Sequence, residues 1–499
     1  MEADKPPAEP PPQEAEETAT GATGEIQARA LTDKGRRIRQ AVVVIHGIGE
    51  QRPMDTLRGF VEAVLADDPA HGVKYRNKPD AMNESFEMRC LQAPGNKQAR
   101  RPLTDFYEYY WAHHMQGSKY TQVLSWLIGL MRRHPETIPP ALRPAYFASW
   151  SVALFAAGLW VWGLIAAGAG HAAFLTGIWQ QKWLFASGLA AFAAQWIGSH
   201  IVLGYVADAA RYLTPSPDNI EARNKIRSEG IALLRNLHAS GKYRRIVVVG
   251  HSLGAVIGYD IIRNLWVDLR KPAFPYPRKQ TELKGFAEEA KTMEEGEATP
   301  AKIETFQQSQ HRLWQEFVKV GVPWRVTDFV TLGAPLAHAQ LLMADNPEDF
   351  ARKKAQYEYP CCPPSAGDNL YYRQQYRLSQ GGSSLIRNVA IPHHGAPFSC
   401  IRWSNLYFPY RRLIFGDLIG GPLNGVFGKG IRDIAVEPST DKCLDRSLLS
   451  HVRYWTDSGK ASLDPAWSGG KPSLETLRKA LKLDFLRGKS AKAEPSLGR

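Results

Sequence analysis

The stretch VVVGHSLGAVIGYD, residues 247–260, is the segment from which the fold can be argued. Its apolar start predicts a β-strand buried on both faces, and its second half has the composition of a buried helix. Ser252 lies at the junction, between Gly250 and Gly254. A strand that turns sharply into a helix is the setting a nucleophilic serine needs, because the tight turn exposes its hydroxyl at the end of the strand.

The sequence on both sides alternates predicted strands with predicted helices. This alternation favours an α/β fold with a mainly parallel sheet. Two polar stretches, 268–312 and 336–385, are predicted to be irregular insertions, the second of them a lid. The predicted strands are 41–49, 86–91, 105–112, 243–250, 326–335 and 398–405, and the predicted helices are 219–241 and 255–266.

The Gly-His-Ser-Leu-Gly sequence after an apolar strand resembles the nucleophile elbow of the α/β-hydrolase superfamily, in its lipase and esterase branch. The resemblance extends over about 40–115 and 205–456. It implies an α/β-hydrolase fold, an oxyanion hole, and an acid and a histidine that follow the serine in that order. Bacterial membrane-associated hydrolases are the relatives it suggests.

The resemblance includes a His-Gly motif after the first strand, formed by His46, Gly47, Ile48 and Gly49. Acyl transfer places negative charge on the carbonyl oxygen, so the site needs fixed N–H donors aimed at it. The resemblance implies that the backbone N–H groups of Ile48 and Leu253 are those donors. Gly47 would let the backbone turn towards substrate, and His46 would order the loop.

The acid of the triad is predicted from a late strand. Asp417 follows one, in a Gly-Asp-Leu-Ile-Gly-Gly-Pro loop that resembles the acid region of several lipase-like families. It would orient the histidine and stabilise its charged form. Asp433 and Asp441 are competitors that we expect in surface loops, and Asp328 and Asp260 belong to the wrong elements.

The base is predicted 34 residues beyond the acid. His451 precedes Tyr-Trp in a His-x-x-Tyr-Trp arrangement that resembles the catalytic-histidine segment of such enzymes. A neutral imidazole can take the serine proton and return it at neutral pH. His393 and His394 break the expected chain order, and His338 is a weaker rival. His251, next to the serine, is expected to pack or hydrogen-bond beside the elbow.

Two uncharged runs interrupt the α/β pattern. Each is long enough to cross a bilayer as a helix, so they predict two transmembrane helices at about 145–168 and 183–206, within a membrane-associated insertion at 121–207. Buried core helices are the alternative interpretation. Arginines and lysines flank the pair, and a single lysine lies between the runs. The positive-inside rule therefore predicts a multi-pass membrane protein with a cytoplasmic catalytic domain.

The remaining organisation follows from composition. The Pro- and Glu-rich start predicts a disordered tail over 1–36, and a second tail is predicted at 461–499. The hydrolase domain would then occupy 37–120 and 208–460. Five scattered cysteines indicate reduced thiols in a cytoplasmic domain.

The net charge of +13 favours an anionic partner. No nucleic-acid motif accompanies the charge, so the lipid bilayer is the predicted partner and nucleic acid is not. No metal-ligand cluster, P-loop or dinucleotide fingerprint is present, so no metal and no cofactor are predicted. The oligomeric state does not follow from the sequence.

The sequence thus predicts a membrane-anchored serine hydrolase that cleaves carboxylic esters, with lipid or other acyl esters as substrates. Ser252, Asp417 and His451 would form its triad, acting through an acyl-enzyme. Two alternatives stay open: an acyltransferase that uses the same triad, and a membrane scaffold with a degenerate hydrolase fold. Neither is separated from the first by the elbow motif.

Overall fold

The computed structural model of the chain describes a β-sheet, helices on both of its faces and the candidate site. The predicted tail at 1–36, most of 145–168 and all of 183–206 lie outside the described residues. The described residues are 39–48, 52–66, 75–83, 85–95, 101–115, 128–140, 142–144, 146–147, 150–151, 154, 158, 209, 211–213, 216–272, 275–276, 278–364, 370–380, 383–411, 415–437, 447–455, 471–481 and 483.

The described residues form strands and helices in alternation. The strands are β1 Arg39–Ile45, β2 Arg76–Pro79, β3 Arg89–Ala93, β4 Leu103–Tyr109, β5 Arg245–His251, β6 Val326–Leu332, β7 Tyr371–Gln380, β8 Ser383–Pro392, β9 Arg402–Tyr407, β10 Arg432–Glu437 and β11 Lys471–Pro472. The helices are α1 Asp55–Val64, α2 Pro217–Ala239, α3 Leu253–Leu269, α4 Glu282–Glu295, α5 Pro300–Val320, α6 Ala339–Leu342, α7 Pro347–Ala355, α8 Asn424–Phe427 and α9 Ser473–Ala480.

Nine of these strands form one sheet, in the order β11-β10-β9-β6-β5-β1-β4-β3-β2. The strands from β11 to β4 pair in parallel. At the other edge, β3 pairs antiparallel with both β4 and β2. The mixed α/β fold with a mostly parallel sheet is therefore confirmed. Strands β7 and β8 form a separate antiparallel hairpin.

The central strands are buried on both faces, which explains why they are continuous apolar runs. In β1, Val43 and Ile45 point into the core cluster that contains α3, whereas Val42 and Val44 point into the opposite cluster. That second cluster is closed by α1 and α9. The sheet is thus the middle of three layers.

The parallel strands end at one common edge. Gly47 follows β1, Ser252 follows β5 and Gly333 follows β6. Asp417 comes ten residues after β9, and His451 lies in a short 3₁₀ helix, Leu448–Val452, beyond β10. The carboxyl edge of a parallel sheet is where α/β proteins usually bind ligands, and here it collects the predicted site residues.

Two sequence predictions are corrected by the structure. The stretch 268–312 is not irregular, because it contains α4 and most of α5, which pack their apolar faces on the core. Residues 471–483 are not part of a tail. They form β11 and α9, and Leu474, Leu477 and Leu481 of this segment are buried. Many charged and polar residues hid α4 and α5 from the sequence pattern, and the short length of β11 and α9 hid the second segment.

The second predicted insertion, 336–385, is not irregular either, because it contains α6, α7 and β7, and the hairpin that β7 begins extends to residue 392. Its role as a lid stays a prediction. Within the described part of the chain, no helix has the length and hydropathy needed to cross a membrane. Because the two predicted spans fall largely outside the described residues, the transmembrane hairpin also stays a prediction.

Candidate active site

Ser252 occupies a strained turn between β5 and α3. Its backbone φ of 51° and ψ of −128° lie in a region that residues other than glycine rarely adopt. The flanking glycines allow this turn to pack. A Cβ on Gly254 would lie 2.2 Å from the carbonyl oxygen of Ile45, and one on Gly250 would lie 2.5 Å from the Cα of Ala255. The sequence therefore carries glycine where backbone meets backbone.

The loop after β1 closes on the same turn. A Cβ on Gly47 would lie 2.9 Å from the Cβ of Ser252, so this loop passes directly beside the serine. Leu253 is the first residue of α3, and the first N–H groups of a helix have no partner within the helix. Ile48 is half-buried in the same loop as Gly47. Gly49, the last residue of the predicted motif, lies outside the described residues.

His46 is a buried structural residue. Its ring stacks on Trp111, with centroids 5.1 Å apart. With the proton on Nδ1, the imidazole donates to the Gly47 carbonyl at 2.7 Å, and Nε2 accepts from the Trp111 N–H at 3.3 Å. Burial lowers the pKa of His46 to about 4, so the ring is neutral at physiological pH. These contacts agree with a role in ordering the loop.

Asp417 is fully buried, and polar groups surround its carboxylate. Oδ1 accepts from the Ile419 N–H at 2.8 Å. Oδ2 accepts from the Tyr454 hydroxyl at 2.8 Å and lies 2.9 Å from Nδ1 of His451. Burial by itself raises the pKa of Asp417, but the charge and hydrogen bond of His451, with the Gly420 amide and Tyr454 hydroxyl, lower it to about 2. The carboxylate is therefore ionised when it holds the histidine.

His451 is paired through one ring nitrogen only. Its Nδ1 contacts Asp417, whereas its Nε2 is buried and has no hydrogen-bond partner. With the proton on Nδ1, this unpaired nitrogen can accept a hydrogen bond or a proton from a nearby donor. In this conformation the Ser252 hydroxyl does not make that hydrogen bond. Catalytic hydrogen bonds are often long in the absence of substrate and shorten only when it binds.

Two short connections join the serine to the Asp417–His451 pair. The N–H of Ser252 donates to the carbonyl of Leu332 at 2.9 Å. The next residue, Gly333, has a φ of 56°, and a Cβ there would lie 2.7 Å from Oδ2 of Asp417 and 3.0 Å from Nδ1 of His451. The acid and the histidine are thus in contact with the backbone that holds the serine.

His251 forms the second connection. Its Nε2 donates to the carbonyl oxygen of His451 at 2.8 Å, and the two rings have centroids 5.1 Å apart. Trp455 packs edge-on against the same ring at 4.9 Å. Burial and the neighbouring His451 lower the pKa of His251 to about 3, which keeps it neutral. The sequence predicts packing or hydrogen bonding here, and the structure has both.

The competing acids have structural partners. Asp433 is not in a surface loop: it lies in β10 and accepts from Asn405 and from the amides of Leu423 and Asn424. Asp328 is ion-paired with Arg402 at the opposite, amino-terminal end of the strands. Asp441 lies outside the described residues.

Asp260 also has structural partners. Its carboxylate is paired with Arg227 and Arg263 and accepts from the Tyr212 hydroxyl. Burial raises its pKa, but the two guanidinium groups outweigh that effect and the net pKa is lowered.

The competing histidines either lie far from Ser252 or support a neighbouring loop. The backbone of His393 accepts from Trp266, about 20 Å along α3 from Ser252 at 1.5 Å per residue. Its ring and that of His394 pack on Tyr357. His338 is closer, because its Nε2 donates to the carbonyl of Leu418 beside the acid. It supports the acid loop and does not contact the Asp417 carboxylate by hydrogen bonding.

Sequence reasoning missed three contributors to the site. Tyr454 donates to the acid and also accepts from the Phe408 N–H at 3.2 Å. Gly333 and Gly420 each leave room for Oδ2 of Asp417, since a Cβ on either would lie within 2.7 Å of it. The Tyr of the His-x-x-Tyr-Trp segment was the available signal for the first. The glycines give none, because their role is visible only when separate loops meet.

No protein-family model, characterised protein or solved structure gives a significant match to this chain. The arrangement of the site is therefore what bears on its function. That arrangement is a serine in a strained turn, a histidine with a free acceptor nitrogen, and a buried ionised acid behind it. Chemically, such a group can activate a hydroxyl for attack on an electrophilic carbon.

Proposed function

We propose that the chain is a serine hydrolase with an α/β-hydrolase fold that cleaves carboxylic esters. One observation carries the proposal: Asp417 holds Nδ1 of His451 at 2.9 Å, while Nε2 of the same ring is buried and unpaired. The ring itself lies 5.1 Å from that of His251, the residue before Ser252. His338 and His393 also have an unpaired buried ring nitrogen, but the other ring nitrogen of His451 is held by a buried carboxylate. The order Ser, Asp, His along the chain is also the order that the resemblance implies.

In the proposed reaction, the Ser252 oxygen attacks the carbonyl carbon as its proton moves to Nε2 of His451. The N–H groups of Ile48 and Leu253 stabilise the oxyanion. His451 then protonates the leaving alcohol, which departs and leaves an acyl-enzyme. Water, deprotonated by the same imidazole, attacks the acyl carbon and releases the acid. Asp417 stays ionised throughout and stabilises the imidazolium.

We further propose that the substrate is a lipid or other acyl ester at a membrane. The described beginning of the first apolar run supports this, because Phe147, Trp150 and Leu154 are exposed apolar side chains. That beginning is tied to the site edge. The Tyr146 hydroxyl donates to the Arg133 carbonyl at 2.9 Å, and the Arg133 guanidinium donates to the Ala344 carbonyl at 3.0 Å.

Residue 344 belongs to the segment that follows β6 at the carboxyl edge of the sheet. The start of the predicted anchor is thus linked through Arg133 to the segment that follows β6. A bilayer-embedded anchor would keep the site near the lipid surface, and the basic flanks would favour anionic headgroups.

The nucleophile is tested with a fluorophosphonate probe on the full-length protein in detergent. We expect wild type to be labelled and Ser252→Ala to lose all labelling while its circular dichroism is unchanged. Ser216→Ala is the matched control, because this serine begins α2 without a side-chain capping bond. Labelling of Ser252→Ala at the wild-type rate would refute the proposal.

The substrate class is tested separately with acyl esters of graded chain length, in solution and in phosphatidylglycerol vesicles. We expect turnover of long-chain esters to rise when vesicles are present. Labelled protein that hydrolyses short esters only, with no effect of vesicles, would keep the nucleophile and reject the lipid substrate.

A further inference from the structure

A second group of reactive side chains lies at the carboxyl edge, away from the triad. His113 and His114 occupy a 3₁₀ helix, Ala112–Met115, directly after β4. Glu229 lies in the middle of α2, 115 residues further along the chain. The ligand-capable atoms of the three side chains all lie within 4.8 Å of one another. The sequence gives no hint of this group, because Glu229 is 115 residues away from His114.

A hydrogen bond accounts for only part of the convergence. Nε2 of His114 lies 2.7 Å from Oε2 of Glu229, which one N–H donor explains. Nε2 of His113 points at the same oxygen from 3.8 Å, outside hydrogen-bond range. The two imidazole rings are only 3.8 Å apart between centroids. Two adjacent imidazoles aimed at one carboxylate oxygen leave a space bounded by two nitrogens and an oxygen.

We propose that His113, His114 and Glu229 form a binding site for a divalent transition-metal ion of the zinc type. Two imidazole nitrogens and one carboxylate oxygen are a common zinc ligand set, with water as the fourth ligand. The nitrogen donors select against Mg²⁺ and Ca²⁺, which prefer oxygen ligands throughout.

The adjustment required at the two nitrogen–oxygen pairs is small. Ligand atoms around a tetrahedral zinc ion are separated by about 3.3 Å, given bonds of about 2.0–2.1 Å. The pair at 2.7 Å must open slightly and the pair at 3.8 Å must close slightly. Side-chain rotation suffices, since the His113 and Glu229 side chains are 45% and 49% exposed. The His114 side chain, 11% exposed, provides the fixed wall, and the exposed side gives the ion a path of entry.

The bound ion would fasten the loop after β4 to α2. The ring of Tyr110 stacks on His113 on one side and packs 5.3 Å from His46 on the other. Trp111, the next residue, hydrogen-bonds to His46 in the proposed oxyanion loop. The site is therefore a positioning device for that loop, and its existence does not depend on the proposed esterase activity.

The test uses full-length protein treated with a chelator and then titrated with Co²⁺, whose visible absorption reports coordination directly. We expect wild type to bind one ion, to develop the visible band of a four-coordinate Co²⁺, and to lose it on addition of Zn²⁺. Thermal unfolding should shift upwards with Zn²⁺, because an ion that binds only the folded state stabilises it.

Three variants test the assignment. His113→Ala and Glu229→Gln should each weaken Co²⁺ binding at least tenfold and abolish the thermal shift. Glu229→Gln keeps a hydrogen-bond acceptor for His114, so it removes the ligand charge without opening the loop. His134→Ala is the matched control, because His134 is an exposed histidine 3.6 Å from Glu136. This variant should bind Co²⁺ as tightly as wild type. Unchanged Co²⁺ spectra in both ligand variants, or no band in wild type, would overturn the proposal.

Discussion

At the scale of single residues, the candidate site depends on glycines as much as on the proposed triad. Ser252 adopts a positive φ because the chain must pass from a strand to a helix within one residue. That turn can approach β1 only where no Cβ intervenes. Gly254 provides this approach, and Gly333 does the same where the acid and histidine meet. The reactive side chains are therefore held by backbone contacts that tolerate no added atom.

We predict that Gly254→Ala destabilises the protein by about 3 kcal/mol or more, because its Cβ would collide with backbone oxygens at 2.2 and 2.5 Å. Gly285→Ala, in α4 with nothing within 4 Å, should instead stabilise by up to about 1 kcal/mol. Urea unfolding of the two variants measures the contrast. Equal stabilities would mean that the elbow is not packed as described.

Tyr454 offers a second test at this scale. Its hydroxyl donates to ionised Asp417, and hydrogen bonds to charged groups contribute about 1.5–3 kcal/mol. We predict that Tyr454→Phe lowers the unfolding free energy by about 2 kcal/mol and slows fluorophosphonate labelling without abolishing it, since His451 keeps its own bond to the acid.

Tyr75→Phe is the control for that variant. Its hydroxyl bonds to Glu62 at an exposed position, so its loss should cost no more than about 0.5 kcal/mol. Labelling of Tyr454→Phe at the wild-type rate would show that the tyrosine stabilises the fold without positioning the acid.

At the scale of elements, α1 has an unusual beginning. Met54, which precedes it, has a φ of 73° and makes no side-chain cap. Glu108 from β4 replaces the cap, because its Oε2 accepts from the Met54 N–H at 2.8 Å. Burial raises the pKa of Glu108 to about 7 and outweighs the backbone N–H groups of Met54 and Leu57, which lower it. Its other oxygen is buried without a partner, which suits a protonated carboxyl.

This arrangement predicts a dependence of stability on pH. A folded-state pKa of about 7, against 4.5 for the ordinary group, means that the folded state holds the proton more tightly. The resulting stability is complete below about pH 4.5 and is lost as pH rises through 7, by about 3 kcal/mol in total.

We predict that Glu108→Gln removes this contribution, so that its unfolding free energy falls less than that of wild type between pH 5 and pH 7.5. Glu62→Gln, exposed on α1, should follow the wild-type profile. Urea titrations at the two pH values make the comparison. A wild-type slope in Glu108→Gln would show that Glu108 is not the titrating group.

At the scale of the whole molecule, α9, near the end of the described residues, packs in the same hydrophobic cluster as β1 and α1, near their beginning. Arg478 of α9 donates to the carbonyl of Val64, the last residue of α1, at 3.0 Å. Arg245, at the start of β5, donates to the Leu481 carbonyl at 3.0 Å. The second layer of the fold is thus completed only when α9 docks.

We predict that Leu477→Ala costs about 2–5 kcal/mol, because this side chain is completely buried in that layer. Lys479→Ala on the same helix should change stability by no more than about 0.5 kcal/mol, since its ion pair with Glu475 is half exposed. Thermal and urea unfolding provide the measurement. A neutral Leu477→Ala would mean that α9 contributes nothing to the folded core.

The alternation of strands and helices, the mainly parallel sheet and the turn at Ser252 could all be predicted from the order of the amino acids. Each of these is written locally, in runs of apolar residues and in glycines a fixed distance from the serine. The sequence also singled out Asp417 and His451, through short motifs and chain order.

The surroundings of those residues became visible only in the folded chain. The hydroxyl of Tyr454, the open space at Gly333 and Gly420, and the grouping of His113 and His114 with a distant glutamate come from loops far apart in the chain. The docking of α9 on α1 has the same origin. Contacts of this kind depend on how the sheet brings strand ends together. No local pattern of residues shows which distant loops will meet there.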